Sequence, residues 1–252
     1  MTNLQVLKTA LTQGRALKII SGLNNRDPDR VAAVVRAADQ GGASFVDIAA
    51  DPDLVRLAKQ LTDLPICVSA VEPEAFVTAV EAGADLIEIG NFDSFYAQGR
   101  RFEAEEVLTL THATRQVLPQ IMLSVTVPHI LTLDHQVQLA EELVKAGADM
   151  IQTEGGTSSQ PAHSGTIGLI EKATPTLAAA YEISRAVQVP VLCASGLSNV
   201  TAPLAIAAGA AGIGVGSAVN QLNSEVAMIA VVRSLVEALS TVQPSTLFAS
   251  AV

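Results

Sequence analysis

The chain has 252 residues, 49% of them hydrophobic and 3% aromatic, with no tryptophan and a formal net charge of -10. That charge excludes nucleic acid and an anionic membrane surface as partners, and it leaves any anionic ligand dependent on local donors. The two cysteines, Cys67 and Cys193, make no disulfide framework and fit a reducing compartment, and the amphipathic opening residues carry no signal-peptide apolar block.

In chain order, residues 3–13 read as a short amphipathic helix expected to cover the bottom of the domain. The first strand, ALKIISG (16–22), leads into a polar loop that offers Asn24, Asn25 and Arg26. Asp27-Pro28 sets a capping side chain before a proline suited to the first turn, so a helix through Val31–Ala38 is expected. It ends at the Gly-Ala of QGGASFVDIA (40–49), where glycine supplies the left-handed closing residue and the second strand begins. Asp51-Pro52 opens the next helix, and a proline introduces the third strand, LPICVSA (64–70). Helical periodicity at Val77–Val80 runs into EAGADLIEIG (81–90), the fourth strand. The fifth, LPQIMLSVTV (118–127), is followed by His129, and a helix through Leu139–Val144 stops at KAGADMIQTE (145–154), the sixth. The long irregular segment GGTSSQPAHSGTIG (155–168) carries His163 and reads as a loop that closes over substrate. Thr174-Pro175 reads as the start of a helix through Leu177–Val187, and VPVLCAS (189–195) and AAGAAGIGVG (207–216) complete eight strands. Residues 201–219 lack charge but fall inside this repeat, so they read as a buried helix and strand and not as a membrane span. His112 and His135 fall in helical stretches, as surface residues.

Eight strands, each followed by a helix, imply the α/β class and one (β/α)8 TIM barrel over residues 1–240, with a patternless tail at 241–252. An open doubly wound sheet is the alternative, and the absence of a dinucleotide fingerprint counts against it.

Turning the bulky aliphatics of every strand toward the helices points Lys18, Asp47, Cys67, Ser69, Glu88, Ser124, Thr126, Gln152, Glu154, Cys193, Ser195, Gly212 and Gly214 into the barrel. Lys18, Asp47, Glu88 and Glu154 are therefore the catalytic candidates, because unpaired buried charges are costly and active sites form at the C-terminal ends of barrel strands. The other reading of Lys18 and Asp47 is a buried ion pair that only fixes register. After strands seven and eight, ASGLS (194–198) and GVGSA (214–218) suit a phosphate. The N–H groups of Gly196, Leu197, Gly216 and Ser217 are expected to point at the anion, with a hydroxyl from Ser198 or Ser217 and a short helix N-terminus.

The strand seven and eight region resembles the phosphate grip of aldolase-like and flavin-dependent barrels. More closely, KIISGLNN (18–25), QTEGGTSS (152–159), IEKATPTLAAAYEIS (170–184) and residues 192–220 resemble a family of uncharacterised cyanobacterial and plastid-encoded barrel proteins. That resemblance implies a barrel and a cytoplasmic or plastid-stroma setting, and no reaction. The leading expectation is a cofactor-independent lyase, isomerase or aldolase-type enzyme acting on a phosphorylated small molecule. Asn24, Asn25, His129 and His163 would lie on its substrate loops. A metabolite-binding sensor or scaffold and an FMN-binding oxidoreductase are the alternatives; AGADMIQTEGG resembles segments of flavin barrels that oxidise nitronates. No His/Cys spacing supports zinc and no metal is required, although Asp47 and Glu88 leave a divalent ion open. Homo-oligomerisation is left open as well.

Overall fold

Eight parallel strands close into a barrel in the order β1-β2-β3-β4-β5-β6-β7-β8, with β8 paired back onto β1. The structure is a computed structural model and describes residues 3–96, 98–155 and 159–242. Nearly all of the expected tail (243–252) and residues 156–158 of the long loop lie outside the described residues. The first half of the chain runs α1 (Asn3–Thr12), β1 (Ala16–Ile20), α2 (Pro28–Gly41), β2 (Phe45–Ala49), α3 (Pro52–Leu61), β3 (Ile66–Ala70), α4 (Pro73–Glu81), β4 (Leu86–Ile89) and α5 (Asp93–Tyr96). The second half runs α6 (Ala104–Val117), β5 (Met122–Thr126), α7 (Leu133–Lys145), β6 (Met150–Gln152), α8 (Gly165–Ala186), β7 (Val191–Ala194), α9 (Ala202–Ala207), β8 (Gly212–Val215), α10 (Ser217–Asn220) and α11 (Glu225–Ser240).

The local chemistry behind these boundaries is the one expected. Asp27 Oδ1 accepts from the N–H groups of Asp29 and Arg30 at 3.0 and 3.4 Å, and Asp51 Oδ1 caps α3 in the same way. The four Gly-Ala junctions hold glycine at positive φ, Gly42, Gly83, Gly147 and Gly209, and a strand follows each.

Two expectations need correction. Pro175 does not open a helix. It lies inside α8, which starts ten residues earlier at Gly165, and the Thr174 hydroxyl donates back to the Ile170 carbonyl in place of capping. A proline costs a helix one ladder bond, and α8 carries that loss inside its 22 residues. Second, β7 is phased by one residue from the expectation. Cys193 registers with outward Ile213 and touches Thr176 of α8, while Leu192 points inward. The rule that bulky aliphatics face the helices fails here because the bottom of the barrel also needs filling. Leu192 packs there with Phe45, Cys67, Leu86 and Met150, and with Leu7 and Leu11 of α1, which covers that end.

Outside this plug, a second and larger apolar layer lies between sheet and helices. Its strand residues are Leu17, Ile19, Val46, Ile48, Ile87 and Ile151 among others. The other strands keep the expected phase, so the polar residues of the middle layer all enter the same interior.

Candidate active site

The middle of the barrel holds a closed polar network. Lys18 Nζ donates to Glu88 Oε2 at 2.6 Å and to Gln152 Oε1 at 3.1 Å, and lies 3.8 Å from Asp47 Oδ2. Glu88 also accepts from Ser124 Oγ and from Gln152 Nε2. Asp47 accepts from Ser69 Oγ at 2.7 Å and from Asn91 Nδ2 at 3.4 Å. Lys18, Asp47 and Glu88 are each 0% exposed. Burial pulls the Lys18 ammonium down, but Asp47 and Glu88 more than offset it and leave it above its ordinary value, hence protonated. Burial pushes the Asp47 carboxyl up to about 6 against the pull of Lys18. The lysine takes its shortest bond from a strand across the barrel; Asp47, on the neighbouring strand, lies farther away.

Above this network a pocket of about 560 Å³ opens at the C-terminal ends of the strands. Gln152, Thr126 and Asn91 line it, so the network meets the pocket through Gln152 and Asn91 while Lys18, Asp47 and Glu88 stay beneath. The two glycine loops come together on the same pocket: Ser195, Gly196 and Leu197 from the first, Val215, Gly216 and Ser217 from the second. Gly196 is at φ 73, a left-handed conformation that suits glycine. Among the described residues, none accepts a hydrogen bond from the backbone N–H of Gly196, Leu197, Gly216 or Ser217. Ser198 is engaged elsewhere: its N–H donates to Thr201 Oγ1 at 2.9 Å, and it does not line the pocket. Asn220, at the end of the four-residue α10, donates to the Ile20 carbonyl and ties the second loop to β1.

A second titratable cluster stands on the pocket wall. Glu154 Oε1 accepts from Tyr96 Oη at 2.7 Å and from the His129 backbone N–H at 3.1 Å, and lies 3.0 Å from His129 Nδ1. All three contacts fall on Oε1, and among the described residues none bonds Oε2. Glu154 is only 5% exposed and lines the pocket. Asp93 lines it too, 3.5 Å from His129 Nδ1, and accepts from Ser195 Oγ at 3.1 Å. Burial raises Glu154 above the ordinary carboxylate value although His129 and Tyr96 donate to it. Burial lowers His129, but Glu154 and Asp93 raise it further, to a net upward shift. Burial and Glu154 together raise Tyr96, which stays a neutral donor. One atom each from Asp93, His129 and Glu154 falls within 4.8 Å of the others, close enough to share an ion, though the three already bond one another.

The other sequence candidates disperse. Asn25 donates to Ser21 Oγ and accepts from the Asp27 N–H, shaping the first loop, and Asn24 is exposed; neither lines the pocket. Arg26 pairs with Asp51 on the surface. His163 is 62% exposed and holds Glu171 at 2.7 Å. His129 sits behind Glu154, off the pocket wall.

Sequence reasoning missed Asn91, Asp93, Tyr96 and Lys172. Asn91 and Asp93 follow the end of β4, where the rule that selected Glu88 would have found them. Lys172 is on α8 and is the sole Lys or Arg on the pocket wall among the described residues. Asn91 at φ 61 and Ser195 at φ 77 are the two described non-glycine residues at positive φ, and both line the pocket. Strain of this kind collects at functional sites.

The chain belongs to the family described as "Protein of unknown function (DUF561)", whose profile matches residues 1–245. It is 47% identical over 220 residues to the "Uncharacterized protein ycf23" of Cyanophora paradoxa, covering 87% of this chain and 90% of that one. The cyanobacterial and plastid family resemblance carried by the four motifs is thus borne out. Among solved structures, the chain is similar to a thiamine phosphate pyrophosphorylase from Pyrococcus furiosus, with TM-score 0.60 and 19% identity over 92% of this chain and 98% of that one. It is also similar to (S)-3-O-geranylgeranylglyceryl phosphate synthase from Thermoplasma acidophilum in complex with sn-glycerol-1-phosphate, with TM-score 0.62 and 16% identity over 96% and 100%. At these identities the likeness extends to the eight-stranded barrel fold alone.

Proposed function

We propose that the chain binds a phosphorylated small molecule at the barrel mouth and acts on it as a lyase, isomerase or aldolase-type enzyme that needs no organic cofactor. The phosphate is held by the backbone N–H groups of Gly196, Leu197, Gly216 and Ser217, and Lys172 adds the positive side chain of the wall. The support for this comes from those four unpartnered donors and not from the dipole of α10, which is four residues long. The reactive end of the ligand meets Glu154.

One observation carries the reading. A carboxylate that is 5% exposed is fixed by three contacts on Oε1, and among the described residues none bonds its Oε2, on a pocket that both glycine loops line. With Glu154 on the pocket wall, a ligand there has Oε2 as an acceptor. Burial raises Glu154 above the ordinary carboxylate value and so makes it a stronger base, which suits proton transfer next to a carbonyl. His129 and Tyr96 position that carboxylate. Lys18 and Glu88 act from beneath by fixing Gln152, and Asp47 by accepting from Asn91. A Schiff base on Lys18 would need a neutral, accessible amine, and its two carboxylates oppose the first requirement while full burial opposes the second. No described helix is long and apolar enough to cross a membrane, and the family's cyanobacterial and plastid members support a cytoplasmic or stromal setting.

The test has two readouts on the intact protein. Thermal melting is followed with inorganic phosphate, FMN and a panel of triose, pentose and hexose phosphates; saturation at a hundredfold excess over Kd should add about 2.7 kcal/mol. Deuterium uptake into the same sugar phosphates in D2O then reports proton transfer. The expected result is stabilisation by phosphate esters, with uptake that Glu154→Gln abolishes while the thermal shift remains. Stabilisation without uptake from any ester would make the protein a metabolite-binding sensor. A shift from FMN alone would make it a flavoprotein, and no shift at all would sink the phosphate site.

A further inference from the structure

Charge is unevenly spread over the outside of the barrel. Residues 186–224 contain no Asp, Glu, Lys, Arg or His, in a chain whose formal net charge is -10. On the surface this stretch is α9 with the turn before it, beside the C-terminal half of α8. The Ser184 hydroxyl donates to the Ala208 carbonyl just past α9, and so marks the flank of α8 that faces it. Leu177 and Ile170 lie seven and fourteen residues earlier, close to the same flank, while Glu171 and Glu182 share the other. Large apolar side chains gather on the outer side here: Ile167, Ile170, Tyr181, Val200 and Leu204 are each between 37% and 57% exposed. Together they present on the order of 400 Å² of apolar surface, the size of patches that mark contact sites and about half of what each partner of a stable complex buries.

We infer that this face joins two copies of the chain in a twofold dimer, with α8 packed antiparallel against α8 of the second copy. The charge favours a second copy over a basic partner. A cationic surface is drawn to the carboxylates elsewhere, whereas two acidic molecules meet at least cost where neither is charged. The spacing along α8 is also its own complement. Exposed Ile167, Ile170, Thr174, Ala178 and Tyr181 recur every three or four residues, and the series reads the same from either end about Thr174. Antiparallel pairing there sets Ile167 against Tyr181 of the second copy and Ile170 against its Ala178, with the small Thr174 on the axis where the helices come closest. The Arg185 guanidinium lies over the Tyr181 ring, 3.3 Å from its centroid, and steadies an aromatic anchor of the kind that dominates interfaces. The same axis carries Arg185 toward the end of the second helix that holds Glu171, a meeting of opposite charges at the rim. Val200 and Leu204 flank the helix pair and extend the apolar contact.

Sedimentation velocity of the full-length protein over a range of concentrations measures the mass and should give twice that of one chain. Tyr181→Glu and Leu204→Glu each put a charge into the apolar contact from both sides. Each should weaken the dimer by about a hundredfold or more and leave a folded monomer, checked by its melting curve. Val117→Glu sets the same charge on a half-exposed residue at the end of α6 and should leave the dimer intact. The register is read with Thr174→Cys under a mild thiol oxidant. A disulfide between the two copies should form across the axis, while the native Cys67 and Cys193 are buried and stay out of reach. A monomer at every concentration would overturn the proposal, as would a dimer that both glutamates leave intact. A dimer that the glutamates break, but that Thr174→Cys does not cross-link, would overturn the antiparallel register and keep the face.

Discussion

In the middle of the barrel, each carboxylate oxygen of Asp47 and Glu88 has a protein partner and Lys18 is surrounded by acceptors. At the mouth, the wall leaves Glu154 Oε2 and four loop N–H groups without a partner among the described residues. In the sequence both sets look alike, as charged or polar residues near the ends of strands. What separates them is satisfaction. A network whose every member is paired has nothing left with which to recognise a ligand, and its main effect is to hold its neighbours in place. A buried group held on one side and open on the other is ready for a partner that the protein does not supply.

The largest effect should come from breaking the closed set. Lys18→Ala leaves Asp47 and Glu88 buried and uncompensated, and the loss should be about 3–5 kcal/mol in urea unfolding, or failure to fold. Glu154→Gln should cost less than about 1 kcal/mol by the same measurement, because a partly open site tolerates the change. If Lys18→Ala unfolds normally and loses only turnover, the two regions have been assigned the wrong way round. Next in size is Gly216→Asp. A Cβ at Gly216 would meet its nearest atom, the Ile20 carbonyl oxygen, at 3.4 Å, and its φ of -113 suits any residue, so the fold should survive. A negative charge against the unpartnered amides should weaken phosphate binding by about a hundredfold or more, roughly 2.7 kcal/mol, in calorimetry. Unchanged binding would remove the second loop from the site.

How much of this could be read from the chain depends on the range of the forces involved. Strand positions were legible because their signals are local: a glycine that must turn left-handed, a proline that cannot extend a helix, and alternation along five residues. The two glycine loops at the barrel mouth were legible for the same reason, as was the place of Glu154 just past β6. Illegible were features set by distant packing. Leu192 points inward because Leu7 and Phe45, far away in sequence, leave a space at the barrel bottom. Lys18 pairs with Glu88 because the ammonium reaches across the interior to it. Tyr96 and Lys172 reach the site from helices whose own periodicity gives no hint of it. Pro175 misled because a proline usually marks a helix start, and only the finished packing of α8 shows it tolerated inside.

The mouth can be probed more gently by removing one of the contacts that aim Glu154. Tyr96→Phe deletes the donor 2.7 Å from Oε1 and leaves the ring on His129. The expected loss is about tenfold in kcat for deuterium uptake, roughly 1.4 kcal/mol, with KM for the phosphate ester nearly unchanged. A loss confined to KM would mean that Tyr96 touches the ligand and does not aim the carboxylate.

The smallest effect lies in the closed set and tests how charged it is. Burial pushes Asp47 up to about 6 from an ordinary 3.8, so between those values the folded protein binds a proton that the unfolded chain has already lost. Stability from this group is then fully present below about pH 4 and is lost as pH rises through about 6. One proton limits the slope to about 1.4 kcal/mol per pH unit, and other carboxylates add slopes of their own. Asp47→Asn removes this titration together with the charge beside Lys18, so the quantity to follow is how the difference between wild-type and variant urea stabilities changes from about pH 4 to 7. Wild type should lose stability relative to the variant as pH rises across that window. Parallel curves would mean that Asp47 stays ionised throughout, with Lys18 holding two full negative charges in the sealed interior. Lys18→Ala would then cost more than the range given above, and the contrast between the closed network and the open mouth would be sharper still.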